Sequence, residues 1–181
     1  MATERLKQAE PSRADAEELP VNLDILVEDC QSPLLRYAYR LAGDAELARD
    51  IVQEAFVRYL EAPPRARARR QIVTWLYRVT HNLAMNALSN QRRRAKTQIP
   101  GAVFAPPPSE QLLAGETRRR LELLLSRLTL NQRIVVILNI QEEKSYREIS
   151  EITGLSISNV GMLLSRALKK LAGMVEKEGL R

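Results

Sequence analysis

The sequence has very few of the residues that build disulfide frameworks and metal centres. It contains one cysteine, Cys30, and one histidine, His81, among its 181 residues. A single cysteine excludes a disulfide within the chain, and one cysteine with one histidine offers no metal-ligand spacing. We therefore expect no metal and no cofactor. Cys30 is expected to be a small apolar residue at a helix edge rather than a reactive thiol.

Long hydrophobic runs are also missing. The longest covers residues 134–138, whereas a helix needs about 20 apolar residues to cross a bilayer. The first residues are polar and mixed in charge, without the apolar core of a signal peptide. The sequence therefore predicts a cytoplasmic chain that does not insert into a membrane.

Positive charge is what the chain has in excess. Lys and Arg number 28 against 22 for Asp and Glu, which gives a net charge of +6. Such an excess favours a polyanionic partner, with nucleic acid ahead of a membrane surface. The hydrophobic content of 45% is high enough for a packed core.

The pattern of apolar residues predicts an all-α chain with two small helical domains. Residues 1–22 are polar and lack periodicity, so we expect them to form a flexible extension. Residues 23–94 and 114–176 carry helical periodicity. Residues 95–113 include a run of three prolines that excludes a continuous helix, and we interpret them as a flexible linker. No segment shows the period-two alternation of a strand.

Three helices are predicted in the first domain. Gly43 is expected to end the first helix, and Asp44 to cap the second. Pro63 and Pro64 are expected to end the second helix. The third helix is predicted from about residue 72 to about residue 90. Its core-facing stripe is predicted to be Ile72, Leu76, Val79, Leu83 and Ala87.

Residues 145–171 have the spacing of a DNA-binding helix-turn-helix. Gly154 stands where the turn needs a left-handed backbone, and Ser150 is small where two crossing helices touch. Val160 is apolar where the second helix packs back on the first. The other inward positions are filled by Ile149, Leu155 and Leu163. The alternative is an ordinary helical hairpin in a structural bundle.

The second helix of this motif presents a polar face opposite Val160. Ser156 is expected to cap its N-terminus. At 100° per residue the outward face carries Ser158, Met162, Ser165 and Lys169, with Arg166 beside them. The N-terminal part is expected to read base edges in the major groove, and the basic residues to hold phosphates.

The flanks of this face are expected to add backbone contacts. Ser145 and Arg147, at the start of the first helix, are expected to hold DNA backbone on the other side. Gly161 offers no bidentate contact to a base, so we expect modest intrinsic affinity. For Lys169 and its neighbour Lys170 the alternative is a solvated helix end favoured by the helix dipole.

One side of the predicted third helix suits unpaired bases. That side carries Trp75, Arg78, Asn82, Asn86 and Arg93. An aromatic ring stacks on a base, amides bond its edge and guanidinium groups hold the backbone. The basic track is extended at its two ends by Arg65, Arg67, Arg69, Arg70, Arg92, Arg94 and Lys96. The alternatives are a core position at the edge of the stripe for Trp75 and a solvated surface for each arginine cluster.

The outer side of the predicted second helix is acidic. It carries Glu46, Asp50, Gln53 and Glu54. In a basic, DNA-binding chain this side repels DNA, so it is free to dock on a protein of complementary charge. The alternative is a solvated face.

The chain resembles the bacterial RNA polymerase sigma factors of the extracytoplasmic function (ECF) group. LLRYAYRLAGDAELARDIVQEAFVRYLE is similar to the first conserved block of that family, and TWLYRVTHNLAMNALSNQRRR is similar to the block that opens promoter DNA. The helix-turn-helix resembles the block that reads the upstream promoter element. These matches cover nearly everything from about residue 24 to about residue 175.

The resemblance implies a role for each face. Contact with the clamp helices of the polymerase β′ subunit is implied for Asp50, Gln53, Glu54 and Phe56. Recognition and melting of the −10 element is implied for Arg67, Arg69, Arg70, Trp75, Arg78, Asn82, Asn86, Arg92 and Arg93. Reading of the −35 element is implied for Ser145, Arg147, Ser156, Ser158, Asn159, Met162, Ser165, Arg166 and Lys169.

The resemblance also implies partners for the remaining parts of the chain. The loop at 63–71 corresponds to the base-selecting loop of the family, and the linker threads toward the polymerase active site. The C-terminal domain sits on the β flap, and an anti-sigma factor commonly holds family members inactive.

The expected function is therefore that of a sigma factor, which directs core RNA polymerase to promoter DNA and has no catalytic residues of its own. The first alternative is a stand-alone helix-turn-helix regulator, which would be a dimer on a palindromic site. The second is a helical protein-interaction module. A nucleic-acid enzyme is the most distant, because the sequence shows no metal-binding carboxylate cluster and no nucleophile constellation.

Overall fold

The structure is a computed structural model that describes residues 22–61, 68–95 and 123–177. Every regular element in these ranges is helical, and they contain no strand. The helices are α1 (Leu23–Ala42), α2 (Ala45–Glu61), α3 (Arg69–Ala95), α4 (Leu130–Val136), α5 (Tyr146–Thr153) and α6 (Ile157–Lys177). The all-α prediction is confirmed. The predicted N-terminal extension and most of the predicted linker lie outside the described residues.

The end of α1 and the start of α2 are fixed by the residues that the sequence indicates. Gly43 has a left-handed backbone with φ of 72°, and its N–H donates to the Tyr39 carbonyl at 2.8 Å. Asp44 Oδ1 accepts from the backbone N–H groups of Glu46 at 2.8 Å and Leu47 at 3.0 Å. The carboxylate thus satisfies two of the amides that a helix start leaves without partners. This turn packs α1 and α2 side by side.

The buried face of α3 differs from the predicted stripe. Ile72 and Leu76 are buried as predicted, whereas Val79, Leu83 and Ala87 are only half-buried. Full burial extends instead to Tyr77, Thr80, His81 and Ala84. The true core face is therefore rotated around the helix, because it includes three polar residues, Thr74, Thr80 and His81, that an apolar pattern leaves out. α3 also begins and ends several residues beyond the predicted bounds.

The buried histidine has a specific partner on α1. The Tyr37 hydroxyl lies 2.8 Å from Nδ1 of His81, and both side chains are buried. Burial lowers the pKa of His81 to about 4, because the charged imidazolium loses its hydration. Nδ1 of the neutral ring can accept a hydrogen bond from the Tyr37 hydroxyl. This contact joins α1 to α3 inside the core.

The C-terminal part has its core on α4. Ile134, Val135 and Val136 are buried there, and the helix continues into a π-helical turn (Ile137–Gln141) in which Ile137 and Leu138 are fully buried. This nearly all-apolar segment is thus the centre of a core. A helical turn at 123–126 is tied to α4, because Arg133 donates from Nε to the Leu125 carbonyl at 3.1 Å.

The helix-turn-helix prediction agrees with the geometry of α5 and α6. Gly154 has a left-handed backbone with φ of 74°, and Val160 is fully buried. The Ser150 hydroxyl donates to the Leu155 carbonyl at 2.6 Å, so it bridges the turn as well as allowing close approach. Ser156 Oγ accepts from the Asn159 N–H at 3.3 Å, which confirms the predicted cap of α6.

The described ranges contain neither a helix that could span a membrane nor a cluster of metal ligands. None of the helices at 22–61, 68–95 and 123–177 is long and apolar enough to cross a bilayer. Within the same residues, no group of three His, Cys, Asp or Glu side chains is arranged to hold a metal ion. Cys30 is buried in the α1 core, where burial raises the pKa of its thiol.

Replacing Gly154 by alanine should destabilise the protein by about 1–2 kcal/mol, because a Cβ disfavours the left-handed conformation. The measurement is the free energy of unfolding in urea. Gly173→Ala is the matched control, since Gly173 lies inside α6 with open space around its Cβ position. That change should stabilise the protein by about 0.5–1 kcal/mol. Equal effects of the two substitutions would contradict the assigned turn.

The free energy of unfolding should fall by about 3 kcal/mol as pH drops from 6.5 to 4. In this window the unfolded chain takes up a proton at His81 and the folded chain does not, so acid favours unfolding. Urea unfolding at several pH values measures the loss. His81→Gln should remove this component, and an unchanged pH slope in that variant would refute the assignment.

Candidate nucleic-acid and partner interfaces

The base-binding side predicted for α3 is a continuous track on the helix surface. Arg78, Asn82, Asn86 and Arg93 are exposed, and Trp75 is half-buried. These residues fall on one side of the helix over about 27 Å. The Arg93 guanidinium is held by Asn90 Oδ1 at 3.1 Å. The helix thus presents an aromatic ring, amides and guanidinium groups in line.

Trp75 is neither a free surface ring nor a core residue. Its ring packs against Tyr59 of α2, with centroids 6.2 Å apart at an angle of 57°. Trp75 also lines an open cleft of about 300 Å³. The residues that line this cleft are Gln71, Thr74, Trp75, Arg78 and Glu151. Trp75 is therefore held in place by α2 while part of it stays accessible.

The arginines before this track are already engaged. Arg69 pairs with Asp29 of α1. Arg70 donates from Nε to Glu148 Oε1 at 2.8 Å and from Nη2 to Glu148 Oε2 at 3.0 Å. Arg67 and the Arg92 side chain lie outside the described part of the chain. The predicted contacts of Arg69 and Arg70 with DNA therefore require that they exchange carboxylate partners for phosphates.

The outward face of α6 is where the sequence places it. Its exposed residues are Ser158, Met162, Ser165, Arg166 and Lys169, and Asn159 is half-buried. Lys170 Nζ donates to the Arg127 carbonyl at 2.6 Å. Lys170 thus ties α6 to the end of the preceding helical turn. The remaining face is polar at its start and basic toward its end.

The start of α5 is built around a reciprocal cap. Ser145 Oγ accepts from the Glu148 N–H at 3.3 Å, and Glu148 Oε2 accepts from the Ser145 N–H at 2.8 Å. Hydrogen bonds from Arg70, helped by those from Ser145, lower the pKa of Glu148 to about 2, so its carboxylate is charged near neutral pH. Arg147 pairs instead with Glu151, through Nε at 3.4 Å. Both Ser145 and Glu148 are thus occupied in holding the helix start.

The acidic side of α2 is exposed and includes apolar residues that the sequence interpretation missed. Asp50, Gln53 and Glu54 are exposed as predicted, and Glu54 is paired with Arg58 at 2.7 Å. Phe56 is half-buried against the core, so it supports this side from behind. Two large apolar side chains are also exposed on α2, namely Val57 at 45% and Leu60 at 59%.

Helical spacing places these apolar residues beside the acidic ones. At 100° per residue, Val57 lies between the directions of Gln53 and Glu54, and Leu60 lies next to Gln53. An exposed apolar strip bordered by carboxylates is typical of a surface that docks on another protein. The signal was present in the sequence as two apolar residues on the charged side of the helix.

The two predicted DNA-binding units meet along α3. Besides the pair between Arg70 and Glu148, the Tyr77 hydroxyl of α3 donates to Glu142 Oε2. Lys144 Nζ lies 4.3 Å from the centroid of the Tyr77 ring. Burial, followed by the bond to Glu142, raises the pKa of Tyr77. Sequence reasoning missed these contacts, although the Ser145–Glu148 spacing of a capping box marks one of the residues involved.

Comparisons with known proteins match each of the two halves of the chain to a family. The family described as Sigma-70 region 2 matches residues 26–94, and the family described as Sigma-70, region 4 matches residues 118–171. The first match covers α1 to α3, and the second includes the helix-turn-helix. The two families thus correspond to the two predicted units.

Two individual sigma factors are similar to this chain over most of its length. RNA polymerase sigma factor YlaC of Bacillus subtilis is 31% identical over 163 residues, which cover 83% of this chain and 90% of YlaC. The probable RNA polymerase sigma factor RfaY of Xanthomonas campestris is 30% identical over 149 residues, which cover 78% of this chain but only 37% of RfaY.

A solved structure shares the fold. The sigma factor RpoE of Bartonella quintana, crystallised with the anti-sigma factor NepR, matches with a TM-score of 0.68 and 18% identity. The match covers 84% of this chain and 96% of that chain. The two family matches and the similarity to YlaC show that this chain belongs to the RNA polymerase sigma factors. It is a promoter-directing sigma factor, and a stand-alone helix-turn-helix regulator is not favoured.

Proposed function

We propose that this sigma factor divides promoter recognition between α3 and α6 while α2 docks on core RNA polymerase. The observation that carries the proposal is the track on α3, where Trp75 is braced by Tyr59 and followed by exposed amides and guanidinium groups. A duplex-binding regulator has no use for such a track, because a base must leave the stack before a ring can contact its face. A factor that opens DNA needs it.

On this proposal α3 captures bases of the −10 element after they unstack. Trp75 stacks on an exposed base, Asn82 and Asn86 bond base edges, and Arg78 and Arg93 hold the backbone. Stacking on an aromatic side chain contributes about 1–3 kcal/mol per base. Separating each base-pair step costs about 1.4 kcal/mol. A few captured bases therefore offset part of the cost of melting, and the polymerase supplies the rest.

The helix-turn-helix reads the −35 element from the outward face of α6. Ser158 and Ser165 offer hydroxyl groups to base edges, and Met162 offers an apolar contact of the kind that suits a thymine methyl group. Arg166 and Lys169 lie further along and hold phosphates. With no bidentate side chain at its centre, this face contributes modest affinity. Two weak DNA sites on one chain gain from effective concentration.

Docking on the polymerase uses the acidic and apolar side of α2. Exposed Asp50, Gln53 and Glu54 offer charge and hydrogen bonds, and Val57 and Leu60 offer apolar area. By the family resemblance the partner surfaces are the β′ clamp helices for α2 and the β flap for the C-terminal unit. Core polymerase performs the chemistry, so the chain needs no catalytic residues, and we place it in the cytoplasm with its polymerase.

An anti-sigma factor is a further proposed partner. The sigma factor RpoE of Bartonella quintana, which shares this fold, was crystallised with the anti-sigma factor NepR. A protein that covers α2 or α3 in this chain would block the proposed polymerase and promoter contacts together.

Purified protein added to core RNA polymerase should start transcription from promoters identified by mapping transcript starts after overexpression. Trp75→Ala should lower open-complex formation by about 5- to 150-fold, because one stacked base is lost. Permanganate footprinting of unpaired thymines measures this. Urea unfolding of the variant checks that its fold is intact. Tight, sequence-specific binding to duplex DNA without polymerase would contradict the proposal.

Reversing the charge at two positions of α2 should disrupt docking. Asp50→Lys combined with Glu54→Lys should weaken binding to core polymerase by at least about 30-fold, as expected for charged contacts at an interface. The measurement is affinity by surface plasmon resonance on immobilised core enzyme. The matched control reverses Glu28 and Glu176, which are exposed on α1 and α6, with the same change in net charge. If both double variants bind like the unaltered protein, α2 is not the docking face.

A further inference from the structure

The start of α5 lies against the N-terminal end of α3, where the proposed DNA track begins. Arg70 reaches both carboxylate oxygens of Glu148, at 2.8 and 3.0 Å. The Glu148 side chain is only 13% exposed, while that of Arg70 is 75% exposed. This two-point geometry is the one that a guanidinium also uses for a phosphate. Glu148 therefore occupies the direction from which a phosphate would approach Arg70.

A second carboxylate of α5 follows one helical turn later. Glu151 lines the cleft that also contains Trp75 and Arg78. It is partly neutralised by Arg147, whose Nε is 3.4 Å away. The cleft through which a base would reach the Trp75 ring thus has an acidic wall supplied by the other unit. A strand of DNA carries phosphates that this wall repels.

A separate contact fixes the orientation of the two units. Glu142 accepts a hydrogen bond from the Tyr77 hydroxyl, and Lys144 lies over the ring of the same tyrosine. Tyr77 is 2% exposed, and its ring lies between Tyr37 of α1, at 5.5 Å between ring centroids, and these two loop residues. This contact holds α5 beside α3 independently of the ion pair at Arg70.

The arrangement does not allow both promoter elements to be bound at once. The −10 and −35 elements lie about 25 base pairs apart by their names, or about 85 Å along the duplex. Here Arg70 of the −10 set touches Glu148, which is the neighbour in sequence of Arg147 of the −35 set. The two sets must therefore separate before the chain engages a promoter.

We infer that the acidic edge of α5, formed by Glu148 and Glu151, is an internal competitor of DNA that closes the α3 track in the free protein. This inference rests on the proposed function. An exposed ion pair is weak alone, but a competitor on the same chain acts at high effective concentration. The apparent affinity for DNA falls in proportion to the open fraction. A chain that is open one tenth of the time would bind about tenfold more weakly than an open one.

The first test removes the two charges and keeps the helix start. Glutamine can take the place of glutamate in a capping box, so Glu148→Gln combined with Glu151→Gln releases Arg70 and the cleft while α5 stays capped. The probe is a mixed-sequence, single-stranded DNA of about 20 nucleotides carrying a fluorophore, and anisotropy reports its affinity. We expect binding to become about 5- to 10-fold tighter.

The control for this test is a matched change in net charge. Glu28→Gln combined with Glu176→Gln removes two exposed carboxylates that lie on α1 and α6. General electrostatics alone would strengthen DNA binding equally in both double variants. An equal gain in the two would overturn the inference, and a gain confined to the α5 variant supports it.

The second test locks the contact without touching Arg70 or Glu148. In a Cys30→Ala background, Gln71→Cys and Glu151→Cys place one thiol on α3 and one on α5 at the cleft that both residues line, and a reducible bis-methanethiosulfonate linker bridges them. We expect the bridged protein to lose transcription with core polymerase and to recover it on reduction. The control bridges Glu28→Cys and Ser32→Cys, one turn apart on α1, and should stay active before and after reduction.

The second test distinguishes failure of this inference from failure of the proposed function. Full activity of the bridged protein, or thiols that cannot be bridged, would overturn the inference and leave the proposed function intact. Absence of transcription in the unaltered chain and in the reduced protein would instead count against the proposed function.

Discussion

The packing of α3 is the constraint on which the rest of the structure depends. One face of this helix is buried against α1 and α2 through Leu76, Tyr77 and Ala84, while another must remain open to nucleic acid. The contact between Tyr37 and His81 fixes the rotation of the helix about its axis. That rotation determines which side chains point outward. If α3 rotated about its axis, its core side chains would leave the interior or its exposed track would be buried.

Charge is distributed so that the surfaces do not compete for the same partner. Carboxylates gather on the outer side of α2, whereas basic side chains follow α3 and the second half of α6. An anionic nucleic acid is therefore directed away from the side that suits a protein partner. The exception is the acidic edge of α5, where Glu148 pairs with Arg70, an arginine proposed to bind DNA. Its position explains how two basic units can pack together in the free chain.

Local chemistry made much of this fold predictable. Two turns follow from the sequence because each depends on a few neighbouring residues. The first needs the left-handed Gly43 and the cap Asp44, and the second needs the left-handed Gly154 and the small Ser150. The outward face of α6 follows from one buried valine by helical geometry alone. The candidate site residues were proposed because an aromatic ring, amides and guanidinium groups share one side of α3.

What the sequence could not predict lies between elements. The core face of α3 was misjudged because Thr80 and His81 are polar and yet buried. Arg70 and Glu148 are 78 residues apart, and no periodicity connects them. Contacts between distant helices leave no pattern in the residues that make them.

The π-helical turn after α4 has a consequence for how the two halves are joined. Its hydrogen bond from the Glu142 N–H to the Ile137 carbonyl spans one residue more than a regular helical bond does. The extra residue advances the following loop by about 100° around the helix axis, which brings Glu142 and Lys144 round to Tyr77. Loss of one residue here would swing the loop off α3 without removing a core side chain from either half. The number of residues in the π-helical turn thus determines whether the two halves contact each other. It does so without changing the core of either half.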